Sequence, residues 1–433
     1  MRSHHTHSSF SLSFIFFLFL FFNIFSFSTP KPEPVKPSPI GSYHHRKQPV
    51  SAILVFGDST VDPGNNNYIE TAFKCNFPPY GLDFKNSIPT GRFCNGRLVT
   101  DFIGSYIGVK ENVPAYLDSN LGIGDLMNGV SFASAGSGFD PLTPTIGNVI
   151  DIPTQLEHFR EYKRKLEGKI GKQRMEKHIE DAIFCVSAGT NDFVINYFTI
   201  PIRRKSFTIE AYQQLVIYNL KQFIQGLWHE GARRITVAGL PPIGCLPIVI
   251  TVFSDEPLTN RRCIDRFSTV AINYNFYLQK ELDLMQISLV HLGSKIIYLD
   301  VYNPVYEIIL DHRKFGFEEV SRGCCGIGYL EASILCNPKS YMDENALNLN
   351  DDLNIDEMMD QNEDDHGPDS VQDDSTSVAG SRDFEKHFSS KGYDLPFCFV
   401  YSSSTIFKFR VIFRKSTLFL QNLFRRSTIV GAA

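Results

Sequence analysis

The chain has 433 residues, a net charge of −5, nine Cys, one Trp and 37 Phe. With 43% hydrophobic and 21% charged residues it averages out as a soluble globular enzyme. That excludes a collagen-like chain, a wholly disordered chain, a small disulfide scaffold and a multi-span membrane protein, and so mild a charge gives no support to a nucleic-acid partner. Phe and charge are both segregated, however. Nine Phe fall in residues 1–28 and nine in 382–433. Residues 343–381 carry thirteen acidic groups and no Lys or Arg, whereas 382–433 carry a net +6, leaving 1–342 near +2.

The first element is the apolar run Phe10–Phe27, preceded by Arg2 and three His and broken by Ser11, Ser13, Asn23 and Ser26. Ser26 and Ser28 are small residues at −3 and −1 of a cut after Ser28, so residues 1–28 read as a secretory signal peptide. A membrane anchor is the rival, since the run is near the minimum span; the small residues favour cleavage. Residues 29–49 form a Pro-rich linker, extended or without fixed structure. The chain is thus expected to be secreted and extracellular, where disulfides persist. Cys75, Cys94, Cys245, Cys263, Cys324 and Cys336 are spread through the body and Cys325 adjoins Cys324. Cys185, in an apolar run, reads as a buried free thiol. There is no Asn-x-Ser/Thr sequon, no zinc-type Cys/His spacing and no EF-hand spacing in the acidic run, so no metal or cofactor is expected.

Five short apolar runs follow: Ser51–Phe56, Gly129–Ala135, Ala182–Ala188, Ile235–Ala238 and Lys295–Val301. They lack clean alternation, as strands buried on both faces do. Helical periodicity lies between them, over Gln155–Lys165, Thr208–Glu230 and Asn260–Leu292. The alternation predicts a parallel, doubly wound α/β domain. Ligands of such sheets bind beyond the carboxyl ends of the strands, where Ser59, Gly136 and Asn191 all fall. A serine hydrolase needs an exposed hydroxyl, N–H donors for the oxyanion, a His base and a carboxylate to orient it. Ser59 supplies the hydroxyl, Gly136 permits a close backbone N–H, and Asn191 offers a carboxamide N–H. Ser59 is not in a Gly-x-Ser-x-Gly elbow. Each motif alone reads as a turn; three at the ends of successive strands do not.

The joint text is FGDSTVDPGNNN from Phe56, GRFCNGRLVTDFI from Gly91, NGVSFASAGSGFD from Asn128, VSAGTNDF from Val186, GLPPIGCLP from Gly239 and GCCGIGYLEASILCNPKSY from Gly323. It resembles the plant GDSL esterase/lipases of the SGNH hydrolase superfamily, over residues 50–341 and in the family's order. The resemblance implies a three-layer α/β/α fold with a central parallel sheet. It also implies hydrolysis of carboxylic esters of lipid-like or small acyl substrates without a metal. By the same resemblance Ser59 is the nucleophile and an oxyanion donor, and Gly136 and Asn191 complete the oxyanion hole. Asp62, Asn65 and Asn66 read as fixing the turn after Ser59. Arg92, Asn95 and Asp101 read as a loop and a helix start, and Leu240–Pro247 as a rigid loop near the substrate rim.

The family's late Asp-x-x-His is not found after Tyr341, so the domain, residues 50–342, reads as C-terminally incomplete. His366 follows Glu363 by three residues and is the weak substitute base, in a segment (343–381) too acidic and too poor in aromatics to fold. Asp383 and His387 are four apart, Asp311 and His312 are adjacent, and His158, His178, His229 and His291 lie in helical regions as packed or solvated groups. A replaced or misread terminus explains both the missing block and the odd Cys count. The tail, 382–433, interleaves basic and aromatic residues and could touch a membrane surface; read-through text is the blander account. The expectation is a secreted esterase acting through an acyl-enzyme. The alternative is a catalytically impaired or non-catalytic acyl-binding relative.

Overall fold

Four of the five apolar runs become parallel strands in the computed structural model, which describes residues 50–323, 325, 328–330 and 336. All lie in the second of the chain's two units, Gln48–Ala433. The strands are β1 (Ile53–Gly57), β2 (Ile183–Ser187), β3 (Arg234–Ala238) and β4 (Lys295–Leu299), in the order β1-β2-β3-β4. The registers pair Val55 with Cys185, Cys185 with Thr236, and Thr236 with Ile297.

The run Gly129–Ala135 differs from expectation. It makes only isolated bridges, Ser131 with Val55 and with Ala115. Its hydrogen bonds are nonetheless strand-like: Val55 N–H donates to Val130 O at 3.1 Å, and Phe132 N–H to Val55 O at 2.7 Å. The small residues and the Gly136 turn leave too short a run for a ladder. Since β2 occupies one edge of β1, this segment takes the other. The chain therefore leaves β1 to one side and returns to β2 on the other, and the switch point of the sheet lies at the carboxyl end of β1, where ligands of open α/β sheets bind.

Helices close the crossovers where the sequence supplies caps. They are α1 (Val99–Tyr106), α2 (Ile123–Asn128), α3 (Thr143–Gly147), α4 (Ile152–Ile170), α5 (Lys172–Asp181), α6 (Ile209–His229), α7 (Pro247–Phe253), α8 (Asp265–Leu289) and α9 (Tyr302–Leu310). The Asp151 carboxylate caps α4 by accepting from Thr154 N–H at 2.7 Å. Thr208 does the same for α6 from Ala211 N–H at 3.3 Å. The long periodic stretch from Asn260 starts its helix only at Asp265, because Cys263 is tied to Cys245 by a disulfide.

Period-two alternation sorts each strand between two layers. Leu54 and Phe56 of β1, Phe184 and Val186 of β2 and Ile235 and Val237 of β3 pack with α4, α6 and α8. Ile53, Val55, Ile183 and Cys185 pack on the other side with Ile103 of α1, Val113 and Ala133. The domain is thus a layered α/β fold around a parallel sheet. Phe56 holds the first layer, with ring centroids 4.9, 5.8, 6.2 and 5.5 Å from Phe132, Phe159, Phe184 and Phe223. Each such pair adds about 0.5–1.5 kcal/mol beyond burial.

Candidate active site

The turn after β1 carries Ser59. Gly57 enters it at φ +141°, and a Cβ there would lie 1.9 Å from Ser187 O, so only glycine lets β1 end against β2. The Asp58 carboxylate accepts from Thr60 N–H at 2.9 Å and from the Thr60 hydroxyl at 2.7 Å. Thr60 Oγ1 is also 2.9 Å from Ser187 Oγ. Asp62 accepts from Gly64 N–H, Asn65 N–H and Ala135 N–H at 2.8, 2.7 and 2.9 Å. Burial pushes both carboxyls up to about 6, against the pull of those hydrogen bonds.

Asp62, Asn65 and Asn66 do more than fix this turn. Asn65 donates through Nδ2 to Ser131 O and Ala133 O, both at 2.8 Å. Asn66 Nδ2 reaches Ala135 O at 3.0 Å and Phe73 O at 2.8 Å. They bind the Ser59 turn to the segment leading into Gly136, which turns at φ +86° against Val149 and Phe73. A third loop, after β2, carries Asn191, whose Nδ2 donates to Ser137 O at 2.9 Å. Directly after it the helix widens to π form over Asp192–Thr199, with Ile200 N–H bonded to Ile195 O at 2.8 Å; such turns are frequent at functional sites. The fold thus brings the segments of Ser59, Gly136 and Asn191 together, and all three residues are buried.

Sequence reasoning missed Gln155. Its side chain in α4 accepts from Gly57 N–H and donates to Gly57 O, each at 2.9 Å, and it lies 3.5 Å from Ser137 Oγ. It therefore bonds both backbone groups of Gly57, the last residue of β1, whose carbonyl also accepts from Ser134 N–H at 3.0 Å, and it touches the Gly136 segment. The signal was present: Gln155, Phe159, Tyr162 and Leu166 share one buried helix face, and a lone amide on such a face requires partners. The pair Arg92–Asp101 was also read too lightly. It is a buried ion pair with Arg92 Nε 3.0 Å from Asp101 Oδ2. Asp101 also receives Leu98 N–H and Val113 N–H, joining a loop and a helix start across the layer.

His366 and the other residues after 336 lie outside the described residues, as do the leader, linker, acidic run and tail. The described histidines have partners of their own or face outward. His158 lies tilted against Tyr116, with ring centroids 5.7 Å apart, and His178 is buried 3.4 Å from the Tyr162 hydroxyl. Burial lowers the pKa of each. His229 lies against Trp228, His312 Nδ1 is 3.0 Å from Phe317 O, and His291 is exposed. None of these contacts joins a histidine to the turn of Ser59.

Cys185 is a buried thiol pushed up to about 12 by desolvation. Cys75 and Cys94 are buried free thiols rather than half-cystines, while Cys325 pairs with Cys336. The loop from Leu240 to Pro247 is held by Asn275, whose side chain exchanges two hydrogen bonds with the Leu240 peptide at 2.6 and 2.8 Å. A cleft of about 840 Å³ between α4, α5 and the residues before β3 is lined by mixed charge, including Arg160, Lys163 and Glu230. It sits at the amino end of β3, the opposite end of the sheet from Ser59. Among the described residues no group of three or more His, Cys, Asp or Glu is placed to hold a metal, and no helix is long and apolar enough to cross a membrane.

A parallel sheet with a switch point at β1, and polar segments after β1, after β2 and after the bridged run at Ser131 converging there, are the features of an SGNH-type α/β hydrolase domain. The family model described as GDSL-like Lipase/Acylhydrolase matches residues 53–395, running past Tyr341 through the acidic run and into the start of the tail. The chain is 82% identical over 311 residues to the GDSL esterase/lipase At5g45960 of Arabidopsis thaliana, covering 72% of this chain and 83% of the relative. It is 42% identical over 286 residues to At1g06990 and 42% over 295 residues to APG, both GDSL esterase/lipases of the same plant. These cover 66% and 68% of this chain and 79% and 82% of those relatives. The chain belongs to the GDSL esterase/lipase family, and by family it is a carboxylic ester hydrolase.

Proposed function

We propose that this protein is a secreted esterase of lipid-like or small acyl esters in which Ser59 is the nucleophile. Ser59 Oγ attacks the ester carbonyl as a base takes its proton; the carbonyl carbon becomes tetrahedral. Collapse releases the alcohol, and water then hydrolyses the acyl-serine. The Gly136 N–H and the Asn191 carboxamide stabilise the oxyanion. The observation that carries this reading is the convergence of these three segments at the carboxyl end of β1, held by Asp62, Asn65, Asn66 and Gln155.

A second reading, an impaired or acyl-binding relative, follows from the sequence, in which the family's late Asp-x-x-His is not found after Tyr341. Full-length protein is assayed with a short-chain nitrophenyl ester beside Ser59→Ala. Turnover lost with Ser59→Ala supports the enzyme. A folded wild type without turnover that still binds the acyl product supports the second reading.

A further inference from the structure

Beside Asn191 stands a buried carboxylate that the proposed reaction does not use. Asp192 is fully buried, and every side-chain hydrogen bond it receives here comes from the segment just beyond Gly136. Phe139 N–H donates to Oδ2 at 2.8 Å, and Asp140 N–H and the Thr143 hydroxyl donate to Oδ1 at 3.1 and 2.5 Å. A Cβ on Gly138 would lie 2.2 Å from Oδ1, so this glycine is what lets the carboxylate enter the loop. The return contact, Asn191 Nδ2 to Ser137 O, closes the link from the other side. Asp140 is in turn locked by the Arg203 fork at 2.7 and 2.6 Å and by the Tyr212 hydroxyl at 3.0 Å, and that same hydroxyl lies 3.1 Å from Asp192 O.

We propose that Asp192 is a positioning residue: its carboxylate clamps the Gly136 segment to the Asn191 loop and so sets the separation of the two oxyanion donors. The functional consequence rests on the esterase reading; the clamp itself does not. Three donors on two oxygens need a group that only accepts, as the carboxylate does in its ionised form, so turnover and exchange are compared above the value of about 7 to which burial lifts Asp192. An amide of the same shape would face one N–H with another, and a donor displaced by a fraction of an ångström loses much of its hold on the oxyanion.

The experiment compares the full-length wild type, Asp192→Asn and the milder Thr143→Val, which removes the hydroxyl donor to Asp192 and the acceptor of one Asn196 Nδ2 bond but keeps the carboxylate. Steady-state turnover of nitrophenyl butyrate is measured beside amide hydrogen exchange of residues 134–143. For Asp192→Asn the expected result is a fall in kcat of about 100-fold with KM within about threefold. Exchange at Gly136, Ser137 and Gly138 rises together with that at Phe139 and Asp140. Thr143→Val gives the same pattern, smaller, and stands in if Asp192→Asn does not fold. The clamp is overturned if kcat stays within about twofold, if KM alone changes, or if faster exchange is confined to Phe139 and Asp140. Should the wild type turn over no ester, the esterase reading fails and the exchange pattern alone decides the clamp.

Discussion

Three carboxylates carry the polar framework of the site, and all three are buried. Burial lifts Asp58 and Asp62 from 3.8 to about 6 and Asp192 to about 7. A folded-state value above the unfolded one means that the folded protein holds extra protons between pH about 4 and about 7. The stability these groups contribute is therefore full below pH about 4 and is lost as the pH rises through about 6 to 7. Asp62→Asn removes one such group. Its denaturation midpoint should change less than that of the wild type between pH about 5 and about 7.5. Equal changes in the two proteins would show that Asp62 does not titrate in that window.

At the scale of elements, the site is a set of loops made rigid by side chains from elsewhere. Gln155 is the clearest case, since it comes from α4 and finishes the hydrogen bonding of β1. Gln155→Leu keeps the volume but leaves the buried Gly57 N–H without this partner, at about 1–3 kcal/mol, whereas the Gly57 C=O still accepts from Ser134 N–H at 3.0 Å. The expected outcome is a loss of about 1–3 kcal/mol in denaturant unfolding, together with lower turnover. A loss below about 0.5 kcal/mol would mean that the Gly57 peptide finds another partner. The disulfide Cys245–Cys263 acts on the same scale. It holds the rim loop to the start of α8 across 18 residues, which in the chain-entropy account is worth about 3 kcal/mol.

At the scale of the molecule, the question is whether the proposed oxyanion donors and nucleophile are joined by a base. Without one, a serine hydrolase keeps its binding and oxyanion terms and loses about 10⁴–10⁶ in rate. If the base is missing, imidazole at about 0.1 M should raise Ser59-dependent turnover of the full chain by about tenfold or more. If a histidine of the chain already serves, imidazole changes the rate little, and substituting His366 and then His387 identifies or excludes each. These outcomes separate the enzyme from its impaired relative without reference to stability.

The sequence alone determined the strand ends and the family. β1, β2 and β3 are buried on both faces, so they are written as short continuous apolar runs ended by a glycine or small polar group visible in the text, while β4, at the sheet edge, fully buries only Ile296. The end of α6 was as legible, because Gly231 takes a positive φ that other residues resist, whereas α4 runs on to Ile170, past the expected end at Lys165. The run at Gly129–Ala135 was misjudged as a full strand because apolar text does not say how long a ladder lasts. Cys75 and Cys94 could not be assigned as thiols from their spacing, since pairing depends on distance in space. Gln155, Asp192 and the Arg203–Asp140 pair were hidden for the same reason: their partners lie 98, 53 and 63 residues away. Apolar periodicity is local and is written in consecutive residues. Satisfaction of buried polar groups is settled only when the chain closes, and it is this closure that brings Ser59, Gly136 and Asn191 to one end of the sheet.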